Sequence, residues 1–211
     1  AFCQGDSVLL DPGNDGLAWA WSNGDTTRTV LVGNGGIYTV TVTGAAGCHS
    51  TDFITLLRHP LPIVDLGPDT AVCQGMSFTW DAGPGYMHYL WSNGDTTQST
   101  TLDQSDLVFV EVTTEFGCTD QSNMVTFVVH ELPPVPALVK DGPVLSTPAV
   151  WPGYQWLLDG SALPGATAAQ WVPEENGLYT VVVTDSNGCQ STAEPLNVIA
   201  IVGDHSVPQA I

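Results

Sequence analysis

The stretch YLWSNGDTT at residues 89–97 restates WAWSNGDTT at residues 19–27, and this duplication governs how the rest of the chain is read. Trp21 and Trp91 stand about 70 residues apart, and the same offset relates Cys3 to Cys73 and Cys48 to Cys118. A third, degenerate copy follows. Tyr154 and Trp156 match the aromatic pair, and NGLYTVVVTDSNGC at 176–189 matches GGIYTVTVTGAAGC at 35–48. A chain written as copies of one small unit is expected to be a spacer, a fibre or a multivalent binder; an enzyme rarely needs its active site three times.

Around the motif the chain alternates in the period of a β-strand. Ile37 to Thr43 and Tyr179 to Thr184 are runs of strand-favouring residues, and 22 glycines and 15 prolines punctuate such runs. Asn93, Gly94 and Asp95 form a tight-turn signal, with glycine supplying the positive φ that a hairpin needs. About seven short strands per unit, with a tryptophan in the third, fit an immunoglobulin-like sandwich. Trp21, Trp91 and Trp156 are core candidates, and Tyr38 and Tyr179 are placed to form tyrosine corners. The expected fold is all-β: three tandem immunoglobulin-like β-sandwich modules in an extended rod, at 1–59, 60–131 and 132–200, with a tail at 201–211. Pro-rich joints at 59–62 and 132–136 are expected to hold the modules apart. Repeat 1 has no counterpart of residues 63–70, so its first strand is missing. Either the segment comes from a longer array or another chain completes that edge.

Five cysteines occupy positions 3, 48, 73, 118 and 189. A spacing of about 45 residues occurs twice, from a CQG near a module start to a GC after its aromatic strand. One disulfide per module, Cys3–Cys48 and Cys73–Cys118, is the simplest expectation, and it implies an oxidising compartment. Cys189 occupies the second-cysteine position of repeat 3, while the first-cysteine position falls near Leu145. It is therefore expected to be a free thiol, with an intermolecular crosslink as the alternative.

There are 22 Asp and Glu against 3 Lys and Arg, a formal net charge of −19, which argues against nucleic-acid phosphates or anionic lipid as partners. The apolar runs are too short to span a membrane, so no direct insertion is expected. The five histidines recur at no equivalent position, and no nucleophile elbow, HExxH or phosphate loop is present. No catalytic residue is assigned and the chain is not expected to be an enzyme. Calcium is the one cofactor considered: Asp65 and Asp69 lie at a module junction, and Asp52 and Asp120 occupy matching positions after the second cysteine. Among seven tryptophans, Trp151 beside Pro152 and Gly153 is the candidate for an exposed sugar contact.

DLGPDTAVCQGMSFTWDAG at 65–83, YLWSNGDTTQSTT at 89–101 and FGCTD at 116–120 resemble the repeats of large Bacteroidota surface proteins. These include gliding-motility adhesins and other substrates of the type IX secretion system. The third repeat, YQWLLDGSALPGATAAQWVPEENGLYTVVVTDSNGCQS, is similar to the module that precedes the sorting domain in such proteins, and VIAIVG at 198–203 resembles the lead-in to it. The sorting domain itself does not follow. The resemblance implies an exported, extracellular or outer-membrane-attached location and a structural or adhesive role as stalk, adhesin or fibre. The partners would be other modules, further copies in a fibre, or surface glycans. The alternative is an accessory stalk or carbohydrate-binding module of a secreted enzyme. It also implies O-glycosylation at Ser7, Thr26, Thr70 and Thr96, each after an aspartate.

Overall fold

The computed structural model describes residues 1–13 and 15–199; the tail at 201–211 lies outside the described residues. Every regular element among them is a β-strand, from Phe2–Cys3 to Leu196–Val198. The chain folds as two compact units. One comprises Ala1–Thr70, Thr79–Leu102 and Asp106–Phe127, and the other Ala71–Phe78, Asp103–Ser105 and the chain from Val128 onward.

Each repeat builds the same sheet around its tryptophan strand. In repeat 1, Ala18–Trp21 pairs antiparallel with Gly36–Thr43, which pairs in turn with His49–Leu56. In repeat 2 the counterparts are His88–Trp91, Val110–Thr113 and Thr119–Gln121. In repeat 3 they are Gly153–Leu158, Gly177–Thr184 and Gln190–Thr192. A second layer faces each sheet: Val8–Leu10 with Val30–Val32 in repeat 1, and Val144–Ser146 with Val139–Asp141 and Gln170–Trp171 in repeat 3. Successive side chains of a strand point to opposite faces, so alternate valines enter the space between layers. Val40 and Val42 close over Leu10, Trp21, Val30 and Val32 in repeat 1; Val181 and Val183 close over Leu145 and Trp156 in repeat 3. In repeat 2, Trp80 meets Phe127 edge-on with ring centroids 5.0 Å apart, and Trp91, Val110 and Val112 are buried. The result is the all-β, immunoglobulin-like sandwich architecture.

The duplicated motif explains its own persistence. A buried indole N–H is stabilised by an acceptor. Trp21 Nε1 donates to the Thr27 carbonyl at 2.9 Å, and Trp91 Nε1 to the Thr97 carbonyl at 2.8 Å. The turn that brings this carbonyl back is built by the intervening residues. Gly24 and Gly94 sit at φ 90° and 91°, where only glycine is unstrained, and the Asp25 and Asp95 carbonyls accept from the backbone N–H groups of Trp21 and Trp91. Repeat 3 lacks the WSNGDTT letters yet keeps the bond, from Trp156 Nε1 to the Ala168 carbonyl. The tyrosine corners are present as well: Tyr38 donates to the Asn34 carbonyl and Tyr179 to the Glu175 carbonyl, each at 3.0 Å. WSNGDTT is thus a tryptophan-capping turn.

Candidate functional site

The feature that sets this chain apart from three independent sandwiches is its pair of disulfides. Cys3 is bonded to Cys118 and Cys73 to Cys189, with Cα–Cα distances of 5.5 and 5.6 Å; Cys48 is free and exposed. The expected pairs Cys3–Cys48 and Cys73–Cys118 are corrected, as is the free thiol at Cys189, which is fully buried in its disulfide.

Strand geometry gives the reason. Phe2–Cys3 pairs parallel with Arg58–His59, in register Cys3 to His59, and Gln4 N–H donates to the His59 carbonyl. The first cysteine therefore lies beside the last residues of its own repeat. Cys48 ends the turn before His49–Leu56, a strand of 8 residues. At roughly 3.3 Å per residue that strand separates the two cysteines by about 25 Å, far beyond the roughly 7 Å limit for a disulfide. Repeat 2 reproduces this layout, with Gln74 N–H on the His130 carbonyl. A first cysteine reaches only the GC turn of the next repeat.

That turn is a small, self-contained device. In repeat 2, Thr114 N–H donates to the Cys118 carbonyl and Gly117 N–H to the Thr114 carbonyl; in repeat 3, Asp185, Cys189 and Gly188 make the same two bonds. The Cys118 and Cys189 N–H groups are further held by Thr114 Oγ1 and Asp185 Oδ1. Beside the first disulfide the His59 ring stacks on Phe116 with centroids 3.7 Å apart. In the second unit Ser191 Oγ donates to the Pro133 carbonyl. Sequence reasoning overlooked the regularity of the sequence separations 115 and 116, which link first and second cysteines across repeats almost as evenly as the shorter spacing does within them.

The other candidate residues are dispersed. Asp52 and Asp120 each cap the N–H of the next residue, Asp65 accepts from Gly67 and Asp69 from Thr126. Among the described residues no three His, Cys, Asp or Glu side chains form a group able to hold a metal ion, so the structure does not bring the calcium candidates together. Trp151, expected to be exposed, is half-buried: it packs against the repeat 3 core, with its backbone N–H on the Tyr154 hydroxyl. Ser7, Thr26 and Thr96 are exposed and Thr70 half-buried. Tyr89 meets Tyr86 edge-on and donates its hydroxyl to the Gly83 carbonyl. Asp25 and Asp95 are held below the usual carboxylate range, Asp25 by the backbone and side chain of Thr27, Asp95 by the side chains of Thr100 and Asn93. Both serve the turn.

No family model and no curated protein matches the chain. Solved structures similar to it include the N-terminal eight immunoglobulin domains of Down syndrome cell adhesion molecule, at 17% identity and TM-score 0.39. That match covers 92% of this chain, which spans 40% of the length of that one. Extracellular domains 3–5 of Drosophila OTK match at 12% identity and TM-score 0.34, covering 94% of this chain and 93% of that one. Murine CEACAM1b matches at 16% identity and TM-score 0.33, covering 95% of each chain. At these scores the sandwich assignment rests on the strand pairing itself. No helix among the described residues is long and apolar enough to cross a membrane.

Proposed function

We propose that this chain is a non-catalytic structural and adhesive repeat segment of a large secreted cell-surface protein, of the kind Bacteroidota export by type IX secretion. The observation that carries this reading is the covalent topology. Because Cys3–Cys118 and Cys73–Cys189 interleave, the three chain segments 3–73, 73–118 and 118–189 all run between the same two disulfides. Tension applied across the repeats is shared among three covalent routes, and the shortest limits the extension whatever happens to the sandwiches. Such a topology suits a load-bearing strand. Disulfides of this kind also suit an oxidising, extracellular setting.

Single-molecule pulling from the two ends tests it. With about 45 residues in the shortest route, at roughly 3.5 Å per residue, the oxidised chain between the disulfides should stop extending near ~150 Å; reduced, about 186 residues should release ~650 Å. Equal extension with and without reductant would sink the mechanical reading. Peptide mapping of the native polypeptide tests the setting: further WSNGDTT-like peptides in one large surface protein are expected, and a catalytic domain in their place would reassign the chain as an enzyme's stalk.

A further inference from the structure

We infer that repeat 1 presents a docking site for another module of this same repeat, made of an open groove and the Cys48 thiol. The site takes the extended segment that joins that module to repeat 1, and that module's first-position cysteine. Two separate observations, at two places in the repeat, carry it.

The first is the groove. In repeats 2 and 3 the strand after the GC turn is interrupted by one extra residue, at Ser122 to Met124 and at Ala193 to Pro195, where Ser122 N–H turns to the Val110 carbonyl and Ala193 N–H to the Val181 carbonyl. The segment leading into the repeat lies there. Leu66 N–H donates to Asn123 Oδ1 and Asn123 Nδ2 to the Gly67 carbonyl, both at 2.8 Å, and Thr126 N–H donates to Asp69 Oδ1 at 2.7 Å. In repeat 3 the corresponding Leu138 packs on the core. In repeat 1 the strand His49–Leu56 runs unbroken, and the same place is an open groove of about 230 Å³ whose lining includes Leu10, Trp21, Phe53 and Ile54 as well as the carboxylates Asp11 and Asp52. Ile54 is 44% exposed, whereas Val125, at the matching position, is 0% exposed; Phe53 is 69% exposed. Apolar surface of this kind is stabilised by cover.

The second is the thiol. Gly44 N–H donates to the Cys48 carbonyl and Gly47 N–H to the Gly44 carbonyl, the turn bonds made at Cys118 and Cys189. Those two cysteines are 1% and 0% exposed, and each is bonded to the first cysteine of the preceding repeat; Cys48 has the same turn, exposed and free. The occupant follows from the filled examples inside this chain: the segment joining the preceding module to the repeat, like 61–69, lies at the break, and the preceding module's Cys-Gln-Gly strand end bonds the GC turn. The bond forms when the Cys48 and partner thiols give up two electrons and two protons to a disulfide oxidant such as oxidised glutathione, which leaves as two reduced thiols.

The test places a copy of residues 1–70 directly ahead of the full chain, so that the junction Thr70–Ala1–Phe2–Cys3 restates Thr70–Ala71–Val72–Cys73. After refolding in a glutathione buffer, the added first cysteine should be bonded to the original Cys48. Cys3–Cys118 and Cys73–Cys189 should be retained, and the free thiol should move to the added copy. Amides of Phe53 and Ile54 should gain at least tenfold protection from hydrogen exchange. A second tandem with the added cysteine changed to serine should keep that protection without the bond, which separates docking from crosslinking. An original Cys48 still fully alkylated, with both native disulfides present and no gain of protection, overturns the inference. The inference deepens the proposed structural role, but that result would leave the pulling measurement on the unextended chain untouched, so the two fail separately.

Discussion

Repeats 1 and 2 share a sheet, a tryptophan-capping turn and a GC turn, yet they differ along one edge. Repeat 2 breaks its last strand at Ser122 and seats residues 64–69 against the break; repeat 1 continues the strand through Asp52 and leaves Phe53 and Ile54 in solvent. The comparison teaches that the sandwich does not need the entry segment to form its sheet, since the Gly36–Thr43 and His49–Leu56 hairpin pairs over eight positions without it. It needs the segment to finish its core. Buried side chains in repeat 2 such as Val108, Val110 and Val112 are fully excluded from water, while Val40 and Val42 retain some access.

The largest test of this contrast is covalent. Changing Cys3 and Cys118 together to serine removes a crosslink spanning 115 residues, worth up to about 5 kcal/mol in the chain-entropy picture and typically 2–5. The denaturant midpoint of the first unit should fall accordingly. A double variant as stable as the parent would mean the unit does not depend on its disulfide.

Next comes the core. Trp91→Ala should cost about 3–5 kcal/mol, because the indole is enclosed and its N–H is satisfied by Thr97. Trp21→Ala should cost less, near the lower end of that range, since the adjoining groove lets water into the space left behind. Equal losses in urea titrations would show that the groove does not soften the repeat 1 core. A smaller paired comparison isolates the edge itself. Val125→Ala should destabilise by about 2 kcal/mol and Ile54→Ala by under ~1 kcal/mol, although isoleucine is the larger side chain. The opposite order, read by thermal or chemical unfolding, would contradict the difference in cover.

The finest test is acid. Asp25 and Asp95 have folded-state pKa values below the ordinary 3.8, so each contributes stability that is present above that pH and lost as pH falls through the lower folded value. Between pH 6 and pH 3 the unfolding midpoint should drop, and Asp95→Asn or Asp25→Asn should flatten the drop. The partners differ: Asp95 depends mainly on Thr100, on the strand Ser99–Leu102, and Asp25 on Thr27 within its own turn. Thr100→Val should therefore weaken the acid response of repeat 2 alone. A pH profile identical in parent and variants would remove these carboxylates from the stability of the turns.

Much of this architecture was legible from particular residues. The tryptophans, the alternating valines and the corner tyrosines carry their structural roles in their spacing, because strand period and hairpin turns are local. The packing of Trp151 on the repeat 3 core and the edge-on meeting of Tyr89 with Tyr86 were not, since both depend on what a neighbouring loop brings across. The cysteines show the limit most sharply. Their positions admit two regular pairings, one within repeats and one across them, and the shorter, identically repeated spacing favours the one that the fold does not make.

By itself, then, the amino-acid order determined the repeat, the all-β class, the sandwich core and the acidic surface, all of which follow from local periodicity and composition. Only the tertiary structure decided which cysteines meet. The parallel pairing of Phe2–Cys3 with Arg58–His59 carries the first cysteine to the far end of its own repeat, and a disulfide forms only between atoms that the fold has already brought within a few ångströms.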